Sequence, residues 1–141
     1  MSAKAFFDTN IFVYSLDGAS AKARRCTDLI ADAIATNNGV VSYQVVQEFF
    51  NVAFRRFSPP LTLPEAEHYL ATTFRSLLKV HSSHALFADA VQLHQKHRLS
   101  WYDGLIVAAA IQANCSVLYT EDLQHGQKFD NLRVVNPFLS S

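Results

Sequence analysis

The chain has 141 residues, half of them apolar and 17% charged, with eleven Phe and with twelve basic side chains balancing twelve acidic ones. That size makes one domain with a core of its own, and that composition excludes disorder and low-complexity architectures. The balanced charge excludes the strongly basic field of a dedicated nucleic-acid binder, unless several acids share one cation site and leave the remaining surface net basic.

No apolar run approaches the eighteen residues of a membrane span and no signal pattern stands at the N-terminus, so the expectation is a soluble, cytoplasmic protein with no membrane contact. Cys26 and Cys115 stand at apolar-periodic positions and read as buried thiols rather than a disulfide.

In chain order, Lys4 to Phe7 is a short apolar run that reads as a buried strand, and Ile11 to Tyr14 as a turn of helix behind it. Asp17 or Ser20 can cap a helix over residues 21–36, where Ala23, Cys26, Ile30 and Ala33 recur at helical spacing and Asn37-Asn38-Gly39 ends the pattern. This segment is a candidate crossover to a second strand, Val40-Val41. Ser42 can then cap a helix running to about Phe57, with Val46, Phe49, Phe50, Ala53 and Phe57 on one face, ended by Pro59-Pro60.

Thr62-Leu63-Pro64-Glu65 has capping-box spacing with proline in the first turn, which predicts a helix from Pro64 to Lys79. A further helix is expected from Ser82 or Ser83 to Arg98. Another opens at Ser100-Trp101-Tyr102-Asp103 and is apolar on every side from Leu105 to Ala113, which requires a central position. Ser116 to Tyr119 and Leu132 to Val135 are the last two strands. This order predicts an α/β sandwich around a parallel sheet.

Four acids stand at the ends of these apolar elements. Asp8 and Asp122 follow apolar strands, and strand C-terminal ends share one rim in a parallel sheet. Asp103 lies in the first turn of the buried helix. Glu48 has Val45 and Val52 as its i−3 and i+4 neighbours, an apolar setting that disfavours a lone charge. Two like charges about 4 Å apart repel by roughly 4 kcal/mol at an effective dielectric near 20, so such a cluster calls for cations. Mg²⁺ or Mn²⁺ takes oxygen ligands and keeps waters, which suits an open acidic site and hydrolysis of a phosphodiester.

The ordered motifs Phe7-Asp8-Thr9-Asn10, Gln47-Glu48-Phe49, Trp101-Tyr102-Asp103 and Leu118-Tyr119-Thr120-Glu121-Asp122 resemble the PIN domain, and within it the VapC-like toxins of bacterial toxin-antitoxin pairs. The resemblance spans nearly the whole chain. It implies a three-layer α/β/α sandwich around a parallel sheet of four to five short strands. It also implies an Mg²⁺-dependent endoribonuclease, with Mn²⁺ able to substitute, whose quartet is Asp8, Glu48, Asp103 and Asp122. Asn10 and Thr120 match the family's supporting polar positions. The implied partners are an RNA substrate, a cognate antitoxin that occupies the acidic groove, and a second copy in a homodimer.

Other readings of the same residues compete with this one. Asp8-Thr9-Asn10 is also turn chemistry, Ser100-x-x-Asp103 is also a capping box, and Glu121 competes with Asp122 for the rim. His81, His84, His94 and His97 form i, i+3 pairs without a third zinc ligand nearby and read as solvated helix-end residues, and His125 reads as loop filler. Arg24-Arg25 and Arg55-Arg56 read as solvated faces before phosphate grips. Trp101 and Tyr102 border the site, where an aromatic can stack on an unpaired base while at least one packs in the core. Excess apolar surface on the helices over residues 64–79 and 83–98 is the expected dimer face. A catalytically silent module of the same fold is the alternative function. A receiver-like or haloacid-dehalogenase-like phosphoryl-transfer domain is disfavoured, because Asp8-Thr9-Asn10 is no Asp-x-Asp and no catalytic Lys is well placed.

Overall fold

The computed structural model describes residues 3–139. In chain order its elements are β1 (Ala5–Phe7), α1 (Thr9–Ser15), α2 (Ala21–Thr36), β2 (Gly39–Ser42), α3 (Tyr43–Arg55), α4 (Leu63–Tyr69), a π-helical turn (Leu70–Phe74) and α5 (Arg75–Leu77). These are followed by β3 (Leu78–Val80), α6 (His84–His97), α7 (Trp101–Gln112), β4 (Val117–Tyr119), β5 (Lys128–Phe129) and β6 (Leu132–Val135).

The strands form one sheet in the order β3-β2-β1-β4-β6-β5, parallel throughout except for the antiparallel β5–β6 pair. Every residue of β1 and β2 is buried, so helices cover both faces of the sheet at its centre. The architecture is the expected α/β sandwich.

The sheet has six strands where four or five were expected, and the two additions have separate causes. β3 takes the last residues of the expected helix over 64–79: the helix loosens into the π turn, and Leu78–Val80 pairs with β2. β5 is a two-residue edge closed onto β6 through Asp130-Asn131, with Asp130 in the left-handed region at φ 55°.

Most helix starts are set by the expected side chains. Ser20, Ser83 and Ser100 each accept a bond from the backbone three residues on, and Thr62 and Glu65 form the full capping box. Ser42 is the exception: it precedes α3 but makes no side-chain cap bond, and among the described residues its hydroxyl is the one buried side-chain polar atom without a partner.

Two features of this fold place the later chemistry. Chain order runs from β1 outward to β2 and β3, then returns to the other side of β1 for β4, making the C-terminal ends of β1 and β4 a topological switch point. The second feature is α7, whose residues 104–110 are all buried, as its uniform apolarity requires. Gly104 lets it lie close to α6, since a Cβ there would stand 3.2 Å from the Ala90 carbonyl oxygen. This packing fixes the first turn of α7, and Asp103 with it.

Cys26 and Cys115 are both buried and unpaired, and burial pushes each thiol up to about 11, so neither is a reactive thiolate near neutral pH. Among the described residues no helix is long and apolar enough to cross a membrane.

Candidate active site

Parallel pairing sets Phe7 opposite Tyr119, so the residues that leave the two strands, Asp8 and Thr120, emerge side by side. The Asp8 amide completes the ladder by donating to the Tyr119 carbonyl at 3.1 Å. Both carboxylate oxygens of Asp8 are then held: Oδ1 accepts from the Thr9 amide at 2.7 Å, and Oδ2 from the Thr120 hydroxyl at 2.8 Å. The first bond caps α1, so Asp8 does carry turn chemistry. Each oxygen keeps a lone pair free for another partner.

Asp8 is 7% exposed. Burial raises its carboxyl from the ordinary 3.8 to about 6, against the opposing effect of the Thr120 and Thr9 bonds, with smaller contributions from the charges of Asp122 and Glu48. A buried acid so perturbed, at a switch point, is a functional-site signature.

Asp8, Asn10, Glu48, Asp103 and Asp122 line one open crevice of about 180 Å³ together with Thr9, Gln44, Val52, Tyr102 and Ile106. The four acids named from the sequence therefore reach one space from two strand ends and two helices. Glu48 is tied to the first loop: its Oε1 accepts from the Thr9 hydroxyl at 2.9 Å and from Gln44 Nε2 at 3.5 Å. Asp103 contributes its backbone amide to the Ser100 cap at 3.1 Å, which leaves its carboxylate free, and the residue lines the crevice.

Asp122 stands at the exposed rim, and its amide donates to the Thr120 hydroxyl at 3.1 Å. Partial burial, then the charges of Asp103 and Glu121, hold its carboxyl above the usual range. Thr120 is 1% exposed and thus joins two of the four acids through one hydroxyl. Asn10 lines the crevice beside Thr9.

Two residues of this arrangement escaped sequence reasoning. Thr9 bridges Asp8 and Glu48, and its signal was a hydroxyl in the first turn directly behind the acid. Gln44 is 5% exposed and links α3 to α7 by donating to the Tyr102 carbonyl at 3.3 Å. Its signal was the i−4 spacing from Glu48, which puts it on the same helical face.

The other polar candidates lie elsewhere. Glu121 turns from the crevice to the Tyr14 hydroxyl and to Lys22 Nζ, the latter at 3.2 Å. His125 accepts a bond from the Asn136 amide at 3.0 Å through Nδ1. His94 Nδ1 bonds the Leu99 carbonyl at 2.6 Å, and His97 packs edge-on against Phe129, so these two are structural rather than solvated.

Every charged group on the crevice wall is a carboxylate. Among the described residues the one ion pair is Lys22–Glu121, so no basic side chain neutralises the four. The donor set is oxygen only, which suits a hard cation of the Mg²⁺ type. Among the described residues no three Asp, Glu, His or Cys side chains close on a common point as a cage.

Fold and crevice together define an α/β sandwich with an acidic site at the strand ends. The family model of the PIN domain matches residues 5–130, and the chain belongs to that family. No curated protein matches the chain. Among solved structures it is similar to FitAB bound to the IR36 DNA fragment, with TM-score 0.74 and 18% identity over 97% of each chain. A toxin-antitoxin complex from Klebsiella pneumoniae is similar at TM-score 0.67 and 20% identity, covering 95% of this chain and 98% of that one. VapC20 of Mycobacterium tuberculosis, described as a toxin that cleaves the sarcin-ricin loop, is similar at TM-score 0.58 and 19% identity, covering 84% of this chain and 89% of that one.

Proposed function

We propose that this chain is a divalent-metal-dependent endoribonuclease, the toxin of a toxin-antitoxin pair, hydrolysing RNA phosphodiester bonds with Asp8, Glu48, Asp103 and Asp122. The observation that carries the reading is one crevice walled by four carboxylates with no basic partner, the innermost of them buried. Membership of the PIN family and the likeness to toxin structures support it.

Asp8, Glu48, Asp103 and Asp122 would hold Mg²⁺, or Mn²⁺ in its place. When bound, the ion supplies positive charge against the phosphate and makes a water acidic enough for in-line attack. Thr120 and the Thr9 amide fix the rotation of the Asp8 carboxylate plane, so its free lone pairs keep a fixed direction. Thr9 and Gln44 occupy one oxygen of Glu48 and leave the other to the crevice. Asn10 keeps the first turn of α1 in shape beside them.

The same reading places the protein in the cytoplasm with a cognate antitoxin covering the acidic crevice and a second copy as partner. Phe87 and Val91 are an exposed i, i+4 pair on α6, Trp101 stacks on Phe87, and this apolar surface supports a homodimer. Sedimentation of the purified chain should give twice the monomer mass.

The purified chain should cut RNA with Mg²⁺ or Mn²⁺ and lose this on Asp8→Asn; activity that survives that substitution or chelation sinks the reading. The alternative, a catalytically silent module that binds RNA or protein, has in its favour that the four acids form no closed cage. Metal binding without cleavage of any RNA would select it.

A further inference from the structure

Two aromatic residues open α7, and the fold treats them differently. Trp101 lies against Phe87 of α6, with ring centroids 6.5 Å apart and planes 23° from parallel. Tyr102 is 63% exposed and lines the acidic crevice next to Asp103. Among the described residues no aromatic ring packs on Tyr102 and no side chain bonds its hydroxyl. A large ring left in water at the lip of a site is an unfilled contact, since its neighbour demonstrates that this turn can pack one.

The base of that ring is fixed. Gln44, almost fully buried on α3, donates to the Tyr102 carbonyl at 3.3 Å and also to Glu48, so the lip and one acid are held by the same side chain. The crevice wall carries no basic side chain, so apart from a bound cation any attraction that this chain's own side chains offer a polyanion here is not ionic. Stacking on an aromatic face supplies it, and every base offers a π-face. Bases inside a duplex have both faces covered and cannot use it.

We propose that Tyr102 is a substrate-binding residue of this crevice, stacking on an unpaired base of the RNA strand whose phosphate meets the acids. The proposal rests on the ribonuclease reading for its substrate, and its test is arranged so that the two can fail separately.

Binding is measured on full-length protein carrying Asp8→Asn, so that no cleavage intervenes, using a short unpaired oligoribonucleotide with one 2-aminopurine and a blunt RNA duplex. Tyr102→Ala and Tyr102→Leu should weaken binding of the unpaired strand roughly five- to hundredfold and abolish the quenching of 2-aminopurine. Tyr102→Phe should restore both, and binding of the duplex should not change. The loss should persist at high salt, because stacking releases few counterions. In the parent chain the loss from Tyr102→Ala should fall on KM rather than on kcat.

Equal binding by Tyr102→Ala, failure of Tyr102→Phe to rescue, or no binding of unpaired RNA at all overturns the proposal. A chain that never cleaves but whose RNA binding follows Tyr102 loses the nuclease reading and keeps this one. A chain that cleaves identically with Tyr102→Ala does the reverse.

Discussion

Glu121 and Asp122 are adjacent on the loop after β4, yet they serve two different regions. Glu121 faces α1 and α2, where Lys22 and the Tyr14 hydroxyl meet its carboxylate and the Lys22 ammonium lies 3.9 Å from the Tyr14 ring centre. Asp122 faces the crevice, where its nearest charges are other carboxylates. In the first region each charge has a partner within the chain. In the second, the partners have to come from outside it. A surface that is neutralised one residue away and left unneutralised here is selective about where it keeps charge, and that difference supports the proposed site.

The widest separation of the two regions should come from Asp8→Asn. Removing the carboxylate should lower metal-dependent cleavage at least about a hundredfold, while the metal-free protein at pH 7 becomes more stable by on the order of 1–2 kcal/mol. The gain is the relieved burial of charge, reduced because the amide's single oxygen can keep only one of the two bonds the carboxylate accepts, from the Thr9 amide and the Thr120 hydroxyl. Chemical unfolding in chelator checks it; a loss of stability would mean that Asp8 serves the fold as Glu121 does.

The pH dependence of stability follows from the same burial. Asp8 is raised from 3.8 to about 6, so between these values the folded protein binds more protons than the unfolded one, and its contribution to stability falls as pH rises. Measured against Asp8→Asn, the metal-free parent should gain about 2 kcal/mol between pH 7 and pH 4 and about 3 kcal/mol in all, fully present only below 3.8 and lost on passing 6. Saturating Mg²⁺ should flatten the profile near neutral pH, because a cation favours the ionised form. A profile already flat in chelator would remove the strain that marks the crevice.

Thr120→Val tests whether one hydroxyl organises two acids. It strips a buried bond from Asp8 and leaves the Asp122 amide without its partner, at a cost of about 1–3 kcal/mol in stability and a clear drop in cleavage. Thr120→Ser should recover most of both in the same assays.

What the sequence made legible follows from how local each cause is. Asp8, Asp103 and Asp122 were nameable because each sits at an element boundary with an apolar side, and Glu48 because Val45 and Val52 flank it within α3, while the order of motifs supplied what spacing could not. Capping by Ser20, Thr62, Ser83 and Ser100 is a matter of three residues and was readable for the same reason. β3 was not, since Leu77 and Leu78 continue a helical apolar stripe, and only pairing with β2 makes a strand of Leu78–Val80. The expected Ser42 cap fails because that residue is still in β2, paired opposite Val80, with its side chain buried. Thr9 and Gln44 were missed because their roles are bonds across 39 and 58 positions of chain, to Glu48 and to the Tyr102 carbonyl.

The smallest effect belongs to the neutralised region. Lys22 and Glu121 keep 40% and 24% of their side-chain surface in water, so the pair is screened and Glu121→Gln should cost no more than about 1 kcal/mol. Cleavage should stay within about threefold of the parent and Mg²⁺ affinity should fall only slightly, since the Glu121 carboxylate is already met by Lys22 and the Tyr14 hydroxyl. Calorimetric titration with Mg²⁺ on Glu121→Gln and on Asp122→Asn makes the contrast direct. Equal losses of affinity in the two variants would mean that the loop after β4 presents one acidic patch rather than two regions with opposite tasks.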